Sequence, residues 1–331
     1  MSDRPTVSVI IPNYNHANYL EKRLESIINQ SFQDFELIIL DDYSSDDSKS
    51  IIEFYRGHPK ITHIVYNEKN SGSTFRQWKK GIDLAVGKYI WIAESDDYAE
   101  YNFLEFMIGK LIQNSNSGVI ACRYIVINEK EEVLLNGIMF QELYNKKRWL
   151  EDYTIDGKSE IRECLQFYNS IPNASCVIFK TEYSSLIPEL LEFKYKGDWL
   201  FWCLILKNTE LCYLNIPLSY FRLHSQTTRS RTSFESKLRN EVEELWIIKT
   251  LIDSKIISFL RLIPKYWHWS KLTTMYRWFG VFLFQPDLPL VHKIIYHLSL
   301  FFLLPSGWIF RFSISFKIRL NRLICWLNKT I

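Results

Sequence analysis

The chain is poor in features that would place it outside the ordinary folded enzymes. Its six cysteines (Cys122, Cys164, Cys176, Cys203, Cys212 and Cys325) are scattered, with no C-x-x-C pair. That excludes a zinc cluster and a disulfide scaffold and leaves reduced, buried thiols. No charged segment followed by a long apolar stretch opens the sequence, so no secretory signal is expected. Internal repeats and low-complexity segments are absent. Long hydrophobic runs are also missing: the longest stretch without a formal charge near the C-terminus is the seventeen residues between Lys293 and Arg311. As a helix they would reach about 25 Å at ~1.5 Å per residue, short of a hydrocarbon core of roughly 30 Å, and Pro305 interrupts them.

What is present is aromatic and unevenly charged. Phe, Trp and Tyr make up 16% of the 331 residues, and the net charge of +3 hides a split. Residues 251–331 carry eleven Lys or Arg against two Asp, or +9, whereas residues 1–250 carry 29 basic and 35 acidic residues, or −6. A basic, aromatic tail predicts an anionic membrane surface as its partner rather than nucleic acid, since no nucleic-acid recognition module precedes it.

The first hundred residues alternate between two periodicities. Apolar runs at residues 6–11, 35–40, 61–66 and 89–93 predict strands. Helical spacing at residues 17–29 and 74–86 predicts helices between them, with another after Ser44 or Ser45 as N-cap. Near-continuous apolar strands separated by helices imply a parallel sheet covered on both faces. Ligands of such sheets bind beyond the carboxyl ends of the strands. Those ends here carry Pro12-Asn13-Tyr14, Asp41-Asp42 and Glu94-Ser95-Asp96-Asp97. Three carboxylates at the end of one buried strand repel one another unless a cation lies beside them. The expected cation is a divalent metal, Mn²⁺ or Mg²⁺, on a diphosphate. Gly87 is expected as the C′ residue closing the helix before that strand. A further helix at 102–112, a strand at 119–127, a loop and strand at 171–180, and a helix at 199–206 capped by Asp198 follow. Residues 235–252 read as a charged helix opening a separate C-terminal region.

Taken together, VSVIIPNYNHANYL, FELIILDDYSSDDS and NEKNSGSTFRQWKKGIDLAVGKYIWIAESDDY resemble the nucleotide-binding half of the family 2 inverting glycosyltransferases. IPNASCVIFK and KGDWLFW resemble the acceptor-side motifs of that family, so the resemblance covers residues 5–230. It implies an α/β GT-A fold, Rossmann-like, with a mostly parallel sheet and helices on both faces, plus a C-terminal helical extension. The implied division is a catalytic domain over residues 1–234 (donor half to about residue 100) and a membrane-associating region over 235–331.

The resemblance also implies roles. Pro12 and Tyr14 would lie against the nucleotide, Asp42 would bond the base, and Arg76 would assist. Asp96 would contact ribose and metal, Asp97 the metal, and Asp198 would be the catalytic base. Apart from the resemblance, the chemistry of a leaving diphosphate makes His224, with Arg222, Arg229 and Arg231, the groups expected to close over it, His224 touching the metal. The donor would be a nucleoside-diphosphate sugar, uridine before thymidine, and the acceptor a saccharide on polyprenyl diphosphate at the cytoplasmic face of the plasma membrane. Two positions depart from the family pattern: Glu94, where many members have aspartate, and Trp78-Lys79, where many have Arg-Asn. Two other readings compete. A sugar-1-phosphate nucleotidyltransferase needs a glycine-rich loop that PNYNHANYL lacks. The other is a non-catalytic nucleotide-sugar-binding or scaffold subunit of a membrane complex, which donor hydrolysis in the presence of Mn²⁺ would separate from an enzyme.

Overall fold

The computed structural model describes residues 4–136, 147–171, 173–224 and 233–257. The expectations for Arg229, Arg231 and the basic tail therefore lie outside the described residues. The chain runs β1 (Val7–Asn13), α1 (Ala17–Ile28), β2 (Phe35–Asp41), α2 (Ser48–Tyr55), β3 (Ile61–Tyr66), α3 (Thr74–Leu84), β4 (Tyr89–Ile92), β5 (Tyr98–Ala99) and α4 (Phe103–Gln113). Next come β6 (Ser117–Ile127), β7 (Val133–Asn136), β8 (Tyr153–Asp156), the short α5 (Gly157–Glu160), β9 (Val177–Lys180), α6 (Gly197–Leu206), β10 (Glu210–Arg222) and α7 (Phe234–Asp253).

The strands form one ten-stranded sheet in the order β3-β2-β1-β4-β9-β6-β10-β5, with β7 on β6 and β8 on β10. β3, β2, β1 and β4 are parallel, as their unbroken apolar runs predict. β9 runs antiparallel to both β4 and β6, so the sheet is mixed rather than uniformly parallel. Pro12 fits inside β1 because of where its pairing stops. Ile10 O accepts Ala93 N at 2.8 Å on the β4 side. Two residues on, Pro12 faces that same side beyond the last β1–β4 pair, Ile10↔Ile92, where no N–H is required.

Part of the aromatic excess lies in the core. Trp78 of α3, Phe179 of β9 and Phe201 and Trp202 of α6 are all buried. They meet edge-on or tilted, with Phe179 and Phe201 centroids 5.0 Å apart and Trp78 and Phe201 at 6.4 Å. The five described cysteines are buried and unbridged.

Two local expectations are corrected. α3 ends at Leu84, and Gly87 does not take the left-handed conformation of a C′ residue. It is small because a Cβ there would sit 2.6 Å from Ser8 N of β1. Ser44 and Ser45 do not cap α2, which starts at Ser48 behind Asp47. Their polar groups bind the neighbouring loop instead, Ser44 Oγ accepting Asn15 N at 2.9 Å and Ser45 N donating to Asn15 Oδ1 at 2.8 Å. α7 packs within the compact unit that ends at Ile257. Ile247 and Leu251 are fully buried, and the Glu243 carboxylate accepts the backbone N–H groups of Lys194, Tyr195 and Lys196 at 2.8–2.9 Å.

Candidate active site

The turn after β4 is where the polar strand ends converge. β5 follows it at once and pairs antiparallel with the end of β10, Tyr98 opposite Tyr220. That pairing carries Arg222 and His224 onto the acidic turn, 125 or more residues away in sequence. Arg222 is the last residue of β10. It is 2% exposed, its N donates to Asp97 Oδ1 at 2.9 Å, and its Nε donates to Asp96 O at 2.9 Å. The Asn128 carbonyl and Glu131 hold its remaining nitrogens. A side chain anchored this way braces the turn and is not a mobile lid.

His224 Nε2 lies 3.0 Å from Asp96 Oδ2. His16, from the loop between β1 and α1, places Nδ1 2.8 Å from Ser95 Oγ and its ring 5.3 Å from that of His224. The ligand atoms of His16, Asp96 and His224 all lie within 4.8 Å of one another. This is the one group among the described residues that could hold a metal ion. Burial lowers the His16 pKa and keeps the ring neutral, the form that binds metals. Burial opposes ionisation of Asp96. The His224 hydrogen bond and the two nearby imidazoles outweigh it and hold the carboxylate below its usual range.

The other two acids of the turn are occupied differently. Asp97 is 2% exposed and accepts from Asn173 Nδ2 at 3.0 Å as well as from Arg222 N. Burial and then Asp96 raise its pKa to about 6. Glu94 Oε1 accepts from Trp78 Nε1 at 2.9 Å, and burial followed by Asp96 raises its pKa to about 8. The two departures from the family pattern therefore meet as one pair.

A cation beside these carboxylates is supplied by the protein itself. Arg23 of α1 is fully buried, lies 4.9 Å from the Trp91 ring centroid and donates to Ser175 Oγ at 3.1 Å. It interacts electrostatically with Asp97, Asp96 and Glu94, while burial lowers its own pKa to about 10. The sequence reading missed Arg23. The available signal was its position between Leu20 and Leu24, on the face of α1 that the apolar spacing turns inward. Asn173 and Ser175, from the segment resembling an acceptor-side motif, support this turn from beneath: Ser175 Oγ also accepts Glu94 N at 3.1 Å.

At the β2 end, Asp41 ties two loops together through Asn13 Nδ2 at 2.8 Å and Ser44 N at 2.9 Å. Asp42 is buried and accepts from Ser71 N at 2.8 Å, Ser71 Oγ at 2.7 Å and Gln77 Nε2 at 3.0 Å. Gln77 reaches Asp42 from α3, and its neighbour Arg76 is exposed. Pro12 is buried, and Tyr14 is 45% exposed at the mouth of β1.

Asp198 lies in the first turn of α6, and Lys196 is the N-cap. Its carboxylate is half-buried and accepts Asn169 Nδ2 at 2.9 Å, so capping does not account for it. Gly197 fixes where that turn sits: a Cβ there would meet Phe75 at 2.6 Å. Phe75 packs on Trp78 at 5.2 Å, and Trp78 bonds Glu94, so Asp198 and the acidic turn share one wall.

Residues 8–165 match the Glycosyl transferase family 2 profile. They form a family 2 glycosyltransferase domain. An uncharacterized glycosyltransferase of Haemophilus influenzae is 27% identical over 91% of this chain and 94% of its own length. The GalNAc(5)-diNAcBac-PP-undecaprenol beta-1,3-glucosyltransferase of Campylobacter jejuni is 33% identical, over 34% of this chain and 36% of its own. The S. aureus TarS 1–349 structure with UDP has a TM-score of 0.54 at 20% identity, covering 73% of this chain and 64% of that one. The likeness to TarS identifies the fold as GT-A.

Proposed function

We propose that the protein is an inverting, metal-dependent transferase that moves a sugar from a nucleoside diphosphate, UDP before dTDP, onto a saccharide acceptor. The observation that carries this reading is the His16–Asp96–His224 cluster, set at the strand end of a family 2 domain beside the Asp42 site. The cluster suits a cation. His16, Asp96 and His224 would hold it, since each offers one ligand atom and these atoms lie within 4.8 Å of one another. Two imidazoles among three ligands count against Mg²⁺, which takes oxygen ligands, and favour a transition ion such as Mn²⁺. When bound, the ion would neutralise the charge that builds on the leaving diphosphate. Asp97, with both oxygens held by protein donors, would position the turn, and Asp96 would face the donor.

Asp198 would act as the base. The acceptor hydroxyl oxygen forms a bond to the anomeric carbon while the bond from that carbon to the diphosphate oxygen breaks. The hydroxyl proton passes to Asp198, and Asn169 orients the carboxylate. One displacement inverts the anomeric centre. The Campylobacter relative acts on a saccharide linked to undecaprenyl diphosphate, which favours a polyprenyl-linked acceptor and work at the cytoplasmic membrane face. No helix among the described residues is long and apolar enough to cross a membrane.

Mn²⁺ EPR on the purified protein tests the cluster, and release of UDP from a panel of UDP-sugars tests catalysis. Asp96→Asn and His224→Ala are expected to lose Mn²⁺ binding and UDP release together. A protein that binds UDP-sugars yet releases no UDP with Mn²⁺ present would instead be the non-catalytic binding subunit.

A further inference from the structure

α3 sends neighbouring side chains to three parts of the site. Gln77 Nε2 donates to Asp42 Oδ1 at 3.0 Å, and Trp78 Nε1 donates to Glu94 Oε1 at 2.9 Å. Phe75 lies against Gly197, the residue before Asp198, so closely that a Cβ there would come within 2.6 Å of its ring. All three side chains are buried. Phe75 and Trp78, three positions apart, share one face of the helix, and their rings meet edge-on at 5.2 Å.

Trp78 stands at the centre of this arrangement. Its ring also packs against Phe201 and Trp202 of α6, the helix that carries Asp198, with centroids 6.4 and 6.5 Å away. Its indole N–H holds the carboxyl of Glu94, whose own backbone opens the acidic turn. Glu94 O accepts Asp97 N at 3.2 Å, and Glu94 N donates to Ser175 Oγ at 3.1 Å. One rigid, buried ring therefore touches the turn of Asp96 and the helix of Asp198 at once. The reaction needs that spacing to be fixed. In a single displacement the base and the leaving diphosphate lie on opposite sides of the anomeric carbon, and an error of about 1 Å in placement costs about 100-fold in rate.

We propose that Trp78 is a positioning residue whose indole sets the separation between the acidic turn and Asp198. This rests on the reading of Asp198 as the base given above. Phenylalanine in its place would keep an aromatic ring against Phe75 but has no donor for Glu94, and the turn would lose this tie to α3 and α6.

The test is UDP release from UDP-glucose, UDP-galactose and their N-acetyl forms with MnCl₂, alongside Mn²⁺ EPR and thermal melts. It compares wild type, Trp78→Phe, Asp198→Asn and the double variant. Trp78→Phe should lose about 10- to 100-fold in kcat, measured below its melting temperature, while donor KM and Mn²⁺ affinity stay within about twofold of wild type. The double variant should be no slower than Asp198→Asn alone, because a side chain that cannot take a proton gains nothing from its placement. A wild-type kcat in Trp78→Phe would overturn the proposal, since a residue of the core alone moves only the melting temperature. So would a loss confined to KM, which makes the ring part of donor binding, or losses that multiply in the double variant. Phe75→Leu, at the other end of the aromatic pair, should show the same split and decides the matter if Trp78→Phe does not fold. A wild-type kcat there counts against the proposal equally. If the wild type releases no UDP, or Asp198→Asn releases it at the wild-type rate, the reading above fails and takes this inference with it. A slow Asp198→Asn beside a fast Trp78→Phe removes this inference alone.

Discussion

Glu94 and Trp78 show how two apparent irregularities become one device at the scale of single residues. A glutamate is one methylene longer than the aspartate common at this position, and that length brings its carboxyl to the Trp78 indole N–H at 2.9 Å. Buried beside Asp96, Glu94 titrates near pH 8 in the folded chain, against 4.5 for the ordinary side chain. The folded state therefore holds this proton more tightly than the unfolded one. Stability from Glu94 is present below about pH 4.5 and declines as pH rises towards 8. Metal-free wild type should thus lose melting temperature across that window relative to Glu94→Gln, which has no proton to lose. Parallel melting curves for the two proteins would show that Glu94 ionises as freely as in water. Asp198 makes a separate prediction at the same scale. Asp198→Asn keeps an acceptor for Asn169 Nδ2 but cannot take a proton. Transfer should fall about 100-fold or more while UDP affinity, read by calorimetry, stays within about twofold.

Helices and strands, at the next scale, deliver these residues. The β5–β10 pairing brings Arg222 and His224 to a turn more than a hundred residues earlier. The docking of α7 matters as much for the loop ahead of Asp198, the residue proposed as base. Glu243, 3% exposed, collects the N–H groups of residues 194–196 just ahead of α6, and Arg239 Nε lies 3.1 Å from the same carboxylate. These are charge-assisted bonds to donors that α6 leaves without helical partners. Glu243→Ala should cost about 2–4 kcal/mol, because three N–H groups lose their acceptor in a buried setting. Below the lowered melting temperature, the loss should appear in kcat more than in donor affinity, since the loop leads to Asp198 and not to Asp42. Rescue by Glu243→Gln should be partial, as one amide oxygen replaces two charged ones.

For the whole molecule, the charge asymmetry is the property that structure-independent reasoning reads best. The +9 of residues 251–331 faces a remainder of −6, and aromatic residues are interleaved with the cations. Such a tail favours an anionic lipid surface, each cation adding roughly 1 kcal/mol near the headgroups. The full chain should float with vesicles containing phosphatidylglycerol at low salt and be released by about 0.5 M NaCl. Recovery only in the soluble fraction at low salt would remove the membrane from the account.

Sequence by itself determined the strands and helices of the donor half. Their apolar runs and helical spacing follow from burial on both faces, and the polar residues that end them had to gather at one sheet edge. It also marked Asp42, Asp96, Asp97 and Asp198 as candidate site acids, through motifs that resemble those of the family. Tertiary structure alone decided what each acid touches. Asp97 is saturated by Asn173 and Arg222, and His16 joins Asp96 and His224. Arg23 brings positive charge beneath all three carboxylates of the turn, and Glu243 steadies the approach to Asp198. Each of these rests on contacts between residues far apart in the chain. Local periodicity reports which side of an element is buried, and not which distant side chain it meets there.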